Sequence, residues 1–275
     1  MNFKEELRTR TENAEKIIGK YLPEETGFQK TVLEAVNYSV TAGGKRLRPI
    51  LLMETFRLFG GEGTLAEPFM DNDEYRRGKK TTHAAYGEAM GILAGDALLN
   101  LAFETAAGAF DIETSRRTAK ALQILSRKAG IYGMIGGQTV DVESEGQPLS
   151  KEKLDFIYRL KTSALIEAAM MTGAVLAGAT EEETAVIERT ACDVGLAFQI
   201  QDDILDVTST LETLGKPIHS DDKNNKTTYV TLEGLEKAKK DVEEISERAL
   251  ATLASLNRRN EFLEELIRML ITREK

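Results

Sequence analysis

The chain has 275 residues, 41% of them hydrophobic, enough to bury a sizeable core in one large or two ordinary domains. A formal charge of −9 and a pI near 5.1 exclude sequence-independent nucleic-acid binding as a main activity. Cys192 is the only cysteine, so there is no intrachain disulfide framework and no thiolate zinc site. The opening stretch MNFKEELRTRTENAEKIIGK has no apolar signal core, and no run is long and apolar enough to span a membrane; a cytoplasmic protein is expected.

Apolar residues recur at three- and four-residue steps in segments 28–40, 46–59, 84–109, 116–136, 151–178, 181–207 and 231–256, while alternating strand patterns are scarce. Pro23, Pro49, Pro68, Pro148 and Pro217 fall at proposed starts, ends or connectors, which predicts one all-α domain without an internal linker. Early in the chain, Gly43-Gly-Lys-Arg-Leu-Arg-Pro49 crowds Lys45, Arg46 and Arg48 into four positions after a flexible glycine pair. That density suits an anion, but the spacing is not the GxxxxGK[ST] of a nucleotide phosphate loop. Asp71-Asn-Asp-Glu-Tyr-Arg-Arg-Gly78 then sets Asp71 and Asp73 just before Arg76 and Arg77, an order able to hold a metal diphosphate from both sides. Segment 84–109 is rich in Gly and Ala, which predicts close helix packing around a central space.

Gly136-Gly-Gln-Thr-Val-Asp141 reads as a helix end. Lys161 and Thr162 follow in a helix of mostly apolar residues, where a core-facing lysine requires an anionic partner. The run Gly195-Leu-Ala-Phe-Gln-Ile-Gln-Asp-Asp-Ile-Leu-Asp-Val207 carries three carboxylates among apolar neighbours. At about 100° per residue, Asp202, Asp206, Gln199 and Asp203 fall at roughly 0°, 40°, 60° and 100°, so one arc of the helix is a carboxylate wall. Unpaired carboxylates against a core are costly, and hard divalent ions such as magnesium favour one or two carboxylates together with substrate phosphates. The loop 215–229 interrupts the helical pattern with turn formers and reads as a lid, and the final charged helices read as a solvated outer layer. His83 and His219 lie far apart without HExxH spacing, and no GxSxG or GxGxxG occurs, which argues against histidine-metal and triad chemistry. Several separated cations with two acidic clusters describe a pocket for more than one diphosphate.

Taken in order, GGKRLRP, MDNDEYRRG, GEAMGILAGDALL, GGQTVD, RLKTSALIEAA, FQIQDDILD, LGKP and SDDKNNKTTY resemble the trans-type isoprenyl diphosphate synthases, most nearly the short-chain bacterial farnesyl or geranylgeranyl type, over about residues 28 to 240. The resemblance implies an isoprenoid synthase bundle of about ten or more helices around a deep central cavity, in a homodimer that requires Mg²⁺. It implies condensation of isopentenyl diphosphate with an allylic diphosphate to a short-chain product, farnesyl diphosphate being the expected one. By motif, Lys45, Arg48 and Arg77 would bind isopentenyl diphosphate, and Arg76, Lys161, Thr162, Gln199 and Lys216 the allylic diphosphate. Asp71, Asp202, Asp203 and Asp206 would hold the metal, with Lys161, Asp202 and Lys216 acting in catalysis. A terpene cyclase fits less well, because the basic motif and the second acidic motif suit two diphosphate substrates. A homologue that binds prenyl diphosphates without turnover, or that pairs with an active subunit, is the alternative.

One departure from the family pattern matters. Between Phe69 and Met70 the pattern leads us to expect roughly twenty more residues: an apolar helix, a histidine that touches isopentenyl diphosphate, and an adjacent aspartate pair completing the first acidic motif. The residues that set product length fall in the same stretch. Deleting a core helix from an α-bundle leaves a large void at a cost of many kcal/mol, so the expectation is that the natural chain has the segment and the written sequence omits it. The intact mass of the natural protein is therefore predicted to exceed 30.4 kDa by the mass of those residues; a mass at 30.4 kDa refutes the omission.

Overall fold

The computed structural model describes residues 2–69, 81–208 and 227–272, and within them every regular element is helical. In chain order these are α1 (Phe3–Gly19), α2 (Lys30–Thr41), α3 (Leu47–Leu58), a 3-10 turn (Glu67–Phe69), α4 (Thr82–Tyr86), α5 (Glu88–Ala107), α6 (Ala109–Ile112), α7 (Arg116–Ala129), α8 (Met134–Glu143), α9 (Lys151–Ile157), a π turn (Tyr158–Ser163), α10 (Ala164–Leu176), α11 (Glu181–Thr208), α12 (Tyr229–Glu233), α13 (Leu235–Ala254) and α14 (Glu261–Thr272). The all-α expectation holds. Local chemistry adjusts the boundaries: segment 84–109 divides at Gly87, whose φ of 88° only glycine adopts readily, and segment 116–136 stops at Gly130 and resumes at Met134. Segment 151–178, expected as one helix, contains the π turn.

The centre of the fold is α10, buried along nearly its whole length because ALIEAAMMTGAVL is apolar or small on every side. Helices α3, α7 and α11 pack around it. The α3 contact is close at Gly173, where an added methyl would meet the Leu52 carbonyl and lie 3.0 Å from the Phe56 backbone nitrogen. Two buried carboxylates tie the outer helices to this centre. Glu54 on α3 accepts from Arg10 of α1, Arg57 and, at 3.1 Å, Asn260 just before α14; Glu167 on α10 is paired with Lys128 of α7, which also reaches Glu188 of α11 at 2.6 Å. Each is a buried charge with cationic or amide donors, so removing a donor would strand it.

The structure corrects the reading of the C-terminal region as a solvated layer. In α14 the apolar residues Phe262, Leu263, Leu266, Ile267 and Leu270 are all buried and join Ile50, Leu51, Met170 and Ile187 in the largest core cluster. Only the opposite face of that helix carries the charges that suggested an outer layer.

Helix α5 differs from the other long helices. Ala94, Ala102 and Ala106 are buried as small residues allow, but Ile92, Leu93 and Leu99 are exposed. A cleft of about 630 Å³ lies between α2, α4 and α5, lined by residues that include Ser39, Thr82, His83, Gly91, Ile92 and Leu98. These exposed apolar side chains form a patch beside the cleft.

Substituting Gly173→Ala should lower the unfolding free energy by about 1–3 kcal/mol, the ordinary range for overpacking, whereas Gly19→Ala, whose methyl meets nothing within 4 Å, should stay within about 0.5 kcal/mol. Urea denaturation of the two variants checks this.

Candidate active site

The π turn, where one extra residue widens the i to i+4 ladder, carries Lys161 and Thr162. Two glycines press on it from opposite helices. A methyl added to Gly137 of α8 would overlap the Lys161 backbone nitrogen and lie 2.7 Å from Leu160 Cβ; one added to Gly195 of α11 would lie 2.5 Å from Ser163 Cα. Both distances are shorter than real Cβ contacts, so neither helix could sit as close with any other residue there.

The side chains on the turn bind the same two helices. Lys161 Nζ donates to Asp141 Oδ2 at 2.6 Å, supplying the anionic partner that a lysine in this apolar helix requires. Thr162 Oγ1 donates to Gln199 Oε1 of α11 at 2.8 Å. The carboxylate wall lies on α11 one turn further on: Asp203 and Asp206 are buried at 5% and 3% exposure, and Asp202 is half-buried. Asp203 Oδ2 accepts from the Tyr158 hydroxyl and, at 2.8 Å, from the Tyr229 backbone N–H at the start of α12. Gln199 Nε2 lies 3.5 Å from Asp203 Oδ1. The structure thus joins Thr162, Gln199 and Asp203 in one hydrogen-bonded group, with Asp202 and Asp206 on the same helix, while the neighbouring Lys161 is paired separately with Asp141.

The basic motif divides in a way its composition does not disclose. Arg46 has φ 49° and ψ 36°, the left-handed region that side chains seldom occupy, and is 4% exposed. Its Nη2 donates to the Val40 carbonyl at 2.9 Å and its Nε lies 3.5 Å from Glu15 of α1, so Arg46 anchors the α2 to α3 connection. Lys45 beside it is exposed, and Arg48 is half-buried. Arg48 shares a pocket of about 50 Å³ with Leu165 and Ala169 of α10, which starts where the π turn ends.

Asp71, Asp73, Arg76, Arg77, Lys216, His219 and most of the 215–229 loop lie outside the described residues. Among the described residues no three His, Cys, Asp or Glu side chains form a ready-made metal cage. Magnesium does not need one, because it takes one or two protein carboxylates and completes its shell with water and phosphate oxygens. Burial, followed by the nearby Glu167 charge, pushes the Cys192 thiol up to about 11, which disfavours its thiolate.

Asp141, Tyr158 and Tyr229 were missed as site residues. The signal for Asp141 was the unmet need of Lys161 for an anion, with a carboxylate inside the singled-out GGQTVD run; nothing in the sequence pairs Tyr158 or Tyr229 with Asp203.

A family model described as polyprenyl synthetase matches residues 65–266. A geranylgeranyl diphosphate synthase from Cyanophora paradoxa is 40% identical, covering 88% of this chain and 87% of its own length. A farnesyl diphosphate synthase from Geobacillus stearothermophilus is 38% identical, covering 85% of each. Among solved structures, a Helicobacter pylori geranyltransferase described as complexed with magnesium and isoprenyl diphosphate superimposes with a TM-score of 0.81 at 29% identity, covering 98% of this chain and 97% of the other. The first alignment runs over 263 positions yet takes in 88% of 275 residues, about 242; the second runs over 254 positions against 85%, about 234. In each, about twenty positions of the relative face no residue of this chain, the number that the family pattern places between Phe69 and Met70.

Proposed function

The chain belongs to the polyprenyl synthetase family, and from that premise we propose that it condenses isopentenyl diphosphate with an allylic diphosphate to a short-chain trans-prenyl diphosphate, farnesyl diphosphate being our assignment. The observation that carries this reading is the π turn: a lysine and a threonine clamped against a helix that bears three carboxylates. A cation and a hydroxyl fixed beside a carboxylate wall suit an anion bridged to a divalent metal, and they suit neither a thiol nor a histidine reaction.

In this reading Lys161, Thr162 and Gln199, with Arg76 and Lys216, hold the allylic diphosphate. Lys45, Arg48 and Arg77 hold isopentenyl diphosphate. Asp71, Asp202, Asp203 and Asp206 are the acidic set that would hold the metal. The donor set suits Mg²⁺, which when bound would neutralise charge on the departing diphosphate. Lys161 and Lys216 stabilise the same developing charge from the protein side, and fixed cations in a water-poor site do so without reorganisation. The allylic C–O bond breaks with its electron pair leaving on the diphosphate. The double bond of isopentenyl diphosphate then supplies the electrons of the new C–C bond, and the proton released passes to the departing diphosphate. We assign the chain to one domain over residues 1–275, in a cytoplasmic homodimer.

The absence of about twenty positions favours a second reading for the chain as written: without the aspartate pair, Asp71 and Asp73 are all that remains of the first acidic motif, and diphosphates would bind without turnover. Incubation with isopentenyl diphosphate, geranyl diphosphate and Mg²⁺ separates the two. The leading reading predicts a longer prenyl diphosphate by chromatography, its loss on chelation of the metal, and a kcat/KM lowered by roughly 10²–10³-fold in Lys161→Ala, the usual cost of one preorganised donor. No product with any allylic primer contradicts it, and calorimetric binding of isopentenyl diphosphate in that case selects the second.

A further inference from the structure

We propose that Tyr158 is a positioning residue: through Asp203 it clasps the π turn that carries Lys161 and Thr162 to α11 and to the start of α12. The kinetic part of its test rests on the prenyltransferase reading.

Tyr158 is the first residue of the π turn and is 5% exposed. Its ring packs in a cluster that includes Leu154, Ile157, Ala197, Ile200 and Ile204, an environment in which a phenol hydroxyl must find an acceptor. Asp203 is that acceptor. Seen from the other side, Asp203 is a carboxylate at 5% exposure, and a buried carboxylate persists where donors converge on it. Here they come from two other elements: the Tyr158 hydroxyl from the turn and the Tyr229 N–H from α12. Tyr229 N also lies 3.2 Å from the Tyr158 hydroxyl, which closes the three groups into a triangle.

The geometry divides the three carboxylates of the wall. Asp202 and Asp203 are successive residues, about 100° apart around the helix, so Asp203 can face Tyr158 and α12 while Asp202 faces elsewhere. Oδ2 of Asp203 accepts two hydrogen bonds from the protein, one of them from a buried phenol, so this oxygen is committed to the clasp and only Oδ1 is left for other partners. Asp203 accordingly belongs to the clasp in this proposal, and the metal is left to Asp202 and Asp206. Two links then join the π turn to α11: Thr162 to Gln199 near its end, and Tyr158 to Asp203 at its start. A turn held at both ends keeps Lys161 and Thr162 in register with the wall, and a turn held at one end pivots.

The experiment compares Tyr158→Phe, Asp203→Asn and the double variant in the full chain. Tyr158→Phe keeps the ring and its packing and removes only the hydroxyl; it leaves the buried Asp203 one donor short, so its melting temperature should fall by a few degrees while the protein stays folded. Its KM for the allylic diphosphate should rise and its kcat fall so that kcat/KM drops about tenfold or more, the loss expected for one hydrogen bond to a charged acceptor. The Mg²⁺ concentration giving half-maximal activity should not move. The double variant should be no worse than the worse single one, because both remove the same link. Unchanged kinetics in Tyr158→Phe, or losses that multiply in the double variant, would overturn the clasp. So would a raised Mg²⁺ requirement in Asp203→Asn alone, which would make Asp203 a metal ligand. If the parent protein gives no product, the prenyltransferase reading fails separately and hydrogen exchange still decides: π-turn amides about tenfold less protected in Tyr158→Phe support the clasp, and unchanged protection refutes it.

Discussion

At Gly137 and Gly195 there is no room for a methyl group, and the position of the whole site follows from that. The π turn between Tyr158 and Ser163 is touched by α8 on one side and α11 on the other, each approaching at a glycine. A π turn sacrifices regular helical hydrogen bonding, and such turns persist where surrounding structure holds them. Here the holding is both steric and polar. Lys161 is bonded to Asp141 of α8, and Thr162 and Tyr158 are bonded to Gln199 and Asp203 of α11. The clamp thus holds a cation and a hydroxyl at fixed distance from a carboxylate-bearing helix, on an element wedged between both neighbours.

Charge is used differently at the site and away from it. Glu54 and Glu167 are almost wholly buried, and each is paired with a cation from another helix, Arg10 of α1 and Lys128 of α7. Those pairs fix which helices adjoin. At the site burial is mixed: Asp203 and Asp206 are buried, but Lys161 is about one-third exposed, Asp202 is half-buried and Lys45 is exposed. Partly exposed charges can exchange partners at modest cost, whereas fully desolvated ones cannot. The ordering fits a protein that meets polyanionic substrates at one place and relies on fixed ion pairs elsewhere.

Much of this was legible in the chain. The three- and four-residue steps located α2, α3 and α11 to within a few residues, because amphipathic periodicity is what their packing requires. The requirement that Lys161 have an anion followed from its apolar neighbours, although its identity as Asp141 did not, since nothing local relates residues twenty apart on different helices. The π turn was not legible either: one extra residue shifts the apolar period too little to register over a few positions. Nor was the inward role of Arg46, whose left-handed backbone is set by the α2 to α3 connection and not by its own preference. The outermost helix was misread because its charges were weighed above its spacing; Phe262, Leu263, Leu266, Ile267 and Leu270 recur at helical steps and are buried.

The central claim is that the clamped turn and the α11 carboxylates form the two sides of a metal diphosphate site. A crystal structure of the protein with Mg²⁺ and inorganic diphosphate tests it most directly. The account predicts diphosphate oxygens within hydrogen-bond reach of Lys161 Nζ and Thr162 Oγ1, a metal ion against Asp202 and Asp206, and Asp203 still joined to Tyr158 and Tyr229. Diphosphate bound away from the turn, or Asp203 on the metal with the Tyr158 link broken, would contradict it.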